Sequence, residues 1–173
     1  MLAKLFVTIL NTSPAVKRSL WKWWYQRLAN RGLDTDWSFM NYGFIPTNGS
    51  SKLILEEEVE KDRVFIQLYD YAASQIPIEG LNVLEVGSGR GGGASFLANH
   101  YNPTKMTGLD YSQSAVELSQ HLHKNVSNLR FVQGDAEALP FDKNTFDSVI
   151  NVESSHCYGN MAAFVKEASR VLK

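Results

Sequence analysis

The chain holds a single cysteine, Cys157, in 173 residues. One thiol can form neither an internal disulfide nor a zinc cluster, so a reducing, cytoplasmic setting is expected. No apolar run approaches the ~20 residues of a membrane span. Leu5–Leu10 is apolar but short, and no small-residue cleavage site follows it, so no signal peptide is expected. Internal repeats and low-complexity stretches are lacking. Acid is lacking from the start of the chain: Lys4, Lys17, Arg18, Lys22, Arg27 and Arg31 all precede the first acid, Asp34. Net charge is -1, so the remainder is acidic, and nucleic acid is not an expected partner.

What is present is an ordinary globular composition, 44% hydrophobic and 20% charged, enough for one sizeable core. Two parts are expected. Residues 1–52 form a basic, aromatic lid and loop; residues 53–173 form the core domain. Within the first part Trp21, Trp23, Trp24 and Tyr25 interleave with basic residues, with Ser13 a plausible N-cap before Pro14. Such a helical segment suits docking on the core, a lid over a greasy substrate, or peripheral contact with an anionic membrane. The following loop carries Trp37, Phe39, Tyr42, Gly43, Phe44 and Pro46. Trp37 and Tyr42 are candidates for covering a substrate, because connecting segments carry binding residues.

From Leu53 to Ile76 apolar residues recur at helical spacing, with Glu56–Glu58 near the start and Pro77 after the end. An alternation then begins. Strands are expected at 81–86, 105–109, 129–133 and 146–152, and helices at 91–100, 112–124 and 160–172, with a short turn or helix around 136–139. That order predicts a parallel sheet with helices on both faces and a ligand at the carboxyl ends of the strands.

The first strand runs into Gly87-Ser88-Gly89-Arg90-Gly91-Gly92-Gly93. Gly87, Gly89 and Gly92 satisfy G-x-G-x-x-G, while Gly87, Gly89 and Gly91 satisfy G-x-G-x-G. Glu85 stands two residues ahead of this loop. An acid there would repel a pyrophosphate but suits a cationic ligand without phosphate, such as S-adenosylmethionine. Asp110 ends the second strand, about twenty residues past the loop, where an acid can accept both ribose hydroxyls. NAD sites share that feature, so an NAD-dependent oxidoreductase stays open at this point. Asp135, beside Ala136, follows the third strand and can accept from an adenine amino group. After the fourth strand, Asn151 and His156 lie where a transferred group would be. His156 is the histidine placed to act as a base. His121 and His123, two apart on a helix, face apart and cannot share a metal, and no metal is expected.

VLEVGSGRGGGASFL, TGLDYS, GDAEALPF and FDSVINVESSHCYGN together resemble the class I S-adenosylmethionine-dependent methyltransferases. Within them the chain is most similar to the phthiotriol/phenolphthiotriol dimycocerosates methyltransferase family. The resemblance implies a Rossmann-like α/β fold and a cofactor site in which Glu85, Gly87, Ser88, Gly89 and Gly91 hold the methionine end. It also implies Asp110 at the ribose, Asp135 with Ala136 at the adenine, Asn151 closing the sulfonium side, and Tyr111 as a further cofactor-binding residue. His156 matches a histidine that acts as base on a substrate hydroxyl. The implied activity is O-methylation of a lipid-like or polyketide-like small molecule, with carbon methylation and a non-catalytic cofactor-binding remnant as alternatives. Family members continue beyond the segment matching Lys173 with a Pro-Gly-Gly turn, a fifth strand and a closing hairpin, so the C-terminal strands are expected to be missing.

Overall fold

A computed structural model describes residues 37–47 and 53–173. The expected N-terminal helical lid, with Trp21, Trp23 and Trp24, lies outside the described residues. Among those described, the order is a 3₁₀ turn Glu57–Asp62, α1 (Arg63–Ala73), β1 (Asn82–Val86), α2 (Gly92–His100), β2 (Lys105–Asp110), α3 (Gln113–Leu122), β3 (Leu129–Gln133), β4 (Ser148–Ile150), a 3₁₀ turn Ser155–Cys157 and α4 (Met161–Val171). The four strands pair in parallel in the order β3-β2-β1-β4. β1 is therefore central, with Leu84 opposite Thr107 on one side and Val149 on the other.

The alternation along β1 decides what each face of the sheet holds. Val83 joins a core with Ile66, Tyr69, Ala94, Leu97, Met106 and Phe131. Leu84 and Val86 point the other way, into a core with Leu109, Leu139, Phe146, Phe164 and Val171. Glu85, one position after Leu84, is fully buried and shares its face with Val83. α1 buries Ile66, Tyr69 and Ala73 on one stripe, and α4 buries Phe164 and Val171. Side chains cap two helices: Ser112 accepts from Ala115 N–H at 3.4 Å and Asn160 from Ala163 N–H at 3.1 Å.

Two boundaries differ from the sequence reading. The helix expected from Leu53 begins as an α-helix only at Arg63, after the 3₁₀ turn. That turn buries no residue, so no packing holds it to α-helical geometry. β4 is three residues long rather than seven; Phe146 instead makes a single parallel bridge to Leu172. Between β3 and β4 the chain makes a short turn, as expected around 136–139, and α4 holds it. Arg170 donates to the carbonyls of Phe141 and Leu139 at 2.8 and 3.0 Å, and Leu139 N–H donates to Glu167 at 2.8 Å.

Candidate functional site

A cleft opens at the carboxyl ends of the strands, with about 1160 Å³ of empty space including its mouth. Gly87, Ser88 and Gly89 line it after β1, Asp110 and Tyr111 after β2, and Asp135 and Ala136 after β3. These seven residues are brought together as the motifs imply.

The glycine loop is built by its own hydrogen bonds. Gly87 and Ser88 N–H both donate to Leu109 O, at 2.8 and 3.0 Å, and Gly89 N–H donates to Asp110 Oδ2 at 2.8 Å. Gly91 N–H goes to Ser88 O and Gly92 N–H to Ser38 O. Five loop N–H groups thus have protein acceptors, and none of the five is left to cradle a phosphate. Gly87 has φ 82°, and a Cβ there would lie 2.2 Å from Ser154 Oγ, so only glycine fits.

Asp110 Oδ1 accepts from Ser112 N–H at 2.8 Å, and burial raises its proton affinity against these bonds. Tyr111 N–H acts on the same carboxylate, so with three backbone donors on it Asp110 keeps capacity for one further donor. Asp135 Oδ1 accepts from Glu137 N–H at 2.9 Å, shaping the turn that forms the third wall.

Glu85 is not on the cleft surface. It stands behind Tyr69, which is. Tyr69 OH donates to Glu85 Oε1 at 2.7 Å, while the buried Oε2 has no hydrogen-bond partner. Burial pushes the Glu85 carboxyl up to about 7, with the Asp110 charge adding to the shift. Gly91 also lies outside the lining; with φ 83° it caps α2, and a Cβ there would strike Phe131 at 2.5 Å.

Asn151 is placed behind the wall rather than in it. Its Nδ2 lies 2.8 Å from Val86 O and 2.7 Å from both Ser154 Oγ and Tyr158 OH. Ser154 and Tyr158 are the residues that reach the cleft. Burial of Tyr158 pushes its phenol up to about 12. His156 is exposed on the turn Ser155–Cys157 and is not in the lining.

The aromatic loop does cover the site, through different residues from those anticipated. Ser38, Phe39, Met40 and Asn41 line the cleft. Trp37 lies outside, 5.0 Å over the Arg90 guanidinium, and Tyr42 is 92% exposed. The strap is tied down by Tyr42 N–H to Glu153 Oε2 at 2.7 Å, Asn41 Nδ2 to Phe65 O at 2.9 Å and Phe44 N–H to Val64 O at 2.8 Å. Glu153 holds its end from a left-handed conformation, φ 49°.

The fit to S-adenosylmethionine can be judged from these groups. A buried carboxylate oxygen lacks a partner, Asp110 has acceptor capacity at the second strand, and the loop offers no spare donors at the five positions above. The residues suit a cationic nucleoside and disfavour a pyrophosphate.

Comparison with known proteins agrees. Residues 84–173 match the family model described as a methyltransferase domain. The chain belongs to this family. It is 44% identical over 149 residues to the fatty-acid O-methyltransferase of Mycolicibacterium smegmatis, covering 86% of this chain and 54% of that one. It is 41% identical over 162 residues to the phthiotriol/phenolphthiotriol dimycocerosates methyltransferase of Mycobacterium tuberculosis, covering 93% and 59%. The chain thus spans a little over half the length of these curated relatives. Among solved structures, the [4+2]-cyclase SpnF superposes with a TM-score of 0.67 at 23% identity, over 86% of this chain and 52% of that one, and shares the fold. The YcgJ protein of Bacillus subtilis superposes with a TM-score of 0.58 at 29% identity, over 62% and 46%. The methyltransferase domain is Rossmann-like, and no helix among the described residues is long and apolar enough to cross a membrane.

Proposed function

We propose that the chain binds S-adenosylmethionine and serves methyl transfer to an oxygen of a lipid-like or polyketide-like molecule. The observation that carries this reading is the pair of carboxylates at the carboxyl ends of the two central strands: Glu85, buried with an unpartnered oxygen, and Asp110, with acceptor capacity to spare. When bound, the cofactor supplies an electrophilic methyl group on a sulfonium. Glu85, Gly87 and Gly89 hold its amino-acid end, Asp110 its ribose, and Asp135 with Ala136 its adenine. Asn151 acts one step back, fixing Ser154 and Tyr158 against the glycine loop. Met40 and its neighbours on the strap exclude water and set the approach of the acceptor. Replacing Asp110 with Ala is expected to weaken cofactor binding about 10–100-fold, the worth of one charge-assisted hydrogen bond. Unchanged affinity in calorimetry sinks the assignment.

Two kinds of oxygen acceptor remain, and they make opposite demands. A hydroxyl needs a base, the role of His156, and H156A should then slow turnover by about 10²–10⁴-fold with cofactor affinity intact. A carboxylate is already ionised at neutral pH and needs none. The exposure of His156, outside the cleft lining, favours this second reading, as does the fatty-acid O-methyltransferase among the relatives. Turnover of a fatty acid by H156A at the unaltered rate would select the carboxylate. Cofactor binding without turnover of either acceptor would leave a binding chain only. Thermal stabilisation by NAD but not by S-adenosylmethionine would overturn the methyltransferase reading altogether. Peripheral contact of the basic N-terminus with membrane is a separate expectation, tested by sedimentation with anionic vesicles at low salt.

A further inference from the structure

α3 ends beside the glycine loop, and its last side chain is joined to that loop. His123 closes the helix with its own N–H on Ser119 O at 3.0 Å. Its ring crosses to the loop, where Nε2 lies 3.1 Å from Arg90 O. A carbonyl can only accept, so the proton sits on Nε2 and the imidazole donates. Burial holds the ring below the usual imidazole range, against the pull of this bond, so a neutral ring makes the contact.

The contact needs room, and Gly91 supplies it. A Cβ on Gly91 would stand 2.9 Å from His123 Cδ2 and 2.5 Å from Phe131 Cζ. Phe131 backs the imidazole at 5.9 Å between ring centroids. Packing against Phe131 alone would not call for a nitrogen at this position. Arg90 is where two ties meet: its carbonyl is bound by the end of α3, and its buried guanidinium lies against Trp37 of the strap at 5.0 Å.

We propose that His123 is a positioning residue for the glycine loop, donating to Arg90 O and so holding Gly87–Gly89 and Arg90 in the shape that receives the cofactor. The inference rests on the S-adenosylmethionine reading above. His123 is outside the cleft lining and acts through the backbone of Arg90, which is in it. Without the donor, Arg90 O must turn to water or to another N–H, and the loop then populates shapes besides the one that binds. Apparent affinity falls with the fraction that remains competent.

The test separates the donor from the packing. H123L fills similar space without a donor, while H123Q keeps an N–H that can reach the same carbonyl. Calorimetric affinity for S-adenosylhomocysteine, measured well below the unfolding midpoint, should fall about 5–30-fold in H123L, the scale of one backbone acceptor left unmet. H123Q should recover to within about threefold of the unaltered chain. H121A, which alters an exposed residue of the same helix, should bind as the unaltered chain does. If H123L fails to give an unchanged far-UV spectrum, H123M takes its place with the same expectation. A lowered unfolding midpoint with unchanged affinity makes His123 a packing residue and overturns the inference. Equal losses in H123L and H123Q also overturn it, because the donor is then not what matters. If the unaltered chain does not bind S-adenosylhomocysteine, the nucleoside reading itself fails, and the inference with it.

Discussion

The two ends of the cleft are built on opposite plans. At the β1 end, Glu85 is fully buried, its rotamer is set by Tyr69, and one polar atom is left unmet. At the β4 end, Glu153 is exposed, holds a left-handed backbone and ties down the strap through Tyr42 N–H. The first end stores an electrostatic demand inside the fold, a buried acid with one oxygen unmet. The second is a surface latch whose bond is made in contact with water. Recognition of a fixed cofactor calls for the former, and adjustment to different acceptors for the latter.

This contrast can be broken at several points. The largest effect is expected where the ends meet, at Gly87. G87A must take φ 82° with a Cβ 2.2 Å from Ser154 Oγ, so it should lose about 3 kcal/mol of stability in denaturant unfolding, the combined scale of backbone strain and overpacking. A loss under about 1 kcal/mol would show that the Ser154–Tyr158 wall yields easily.

Next comes the pH dependence of the ligand-free chain. Glu85 is raised to about 7 from an ordinary value of 4.5, so the fold favours its protonated form. Below the unfolded value the group is neutral in both states and makes no difference. As pH rises from 4.5 through about 7, the fold must hold an ionised buried carboxylate, and stability falls. E85Q should lack this loss, gaining on the unaltered chain by about 2–3 kcal/mol between pH 4 and pH 8. Parallel stability profiles for the two chains would mean that the β1 end stores no such demand.

The smallest effect belongs to the β4 end. E153A removes the acceptor of Tyr42 N–H but leaves Asn41 and Phe44 bonded to α1. Stability should fall by less than about 1 kcal/mol, since the group lost is exposed. Accelerated proteolysis within 37–47, with the rest of the chain resistant, would locate the effect in the strap.

Much of this was legible in the sequence, and the reasons are physical. The alternation of short apolar runs with helical periods predicts the parallel sheet. Asp110 and Gly87 are readable because strand ends and tight loops tolerate few residue types. Tyr69 is not readable: it sits on the same stripe as Ile66 and Ala73, and nothing in the spacing separates a core tyrosine from one whose hydroxyl is engaged. The commitment of the loop N–H groups to Leu109 O and Asp110 depends on a neighbouring strand and has no local signal. Strand position alone points Asn151 and His156 toward the cleft, and it says nothing of their side-chain directions. The left-handed residue at Glu153 turns the chain after β4, and the side chains beyond it take directions that the spacing does not give.

The turn between β3 and β4 carries a last consequence. Its carbonyls at Leu139 and Phe141 are met by Arg170, and its N–H at Leu139 by Glu167, all from one helix later in the chain. The third wall of the cleft therefore cannot reach its final shape while the ribosome is still short of α4. In chain order the cleft is begun early, but its third side is set only when residues some thirty positions downstream have been synthesised, as the sequence separations of 29 and 31 for these bonds record.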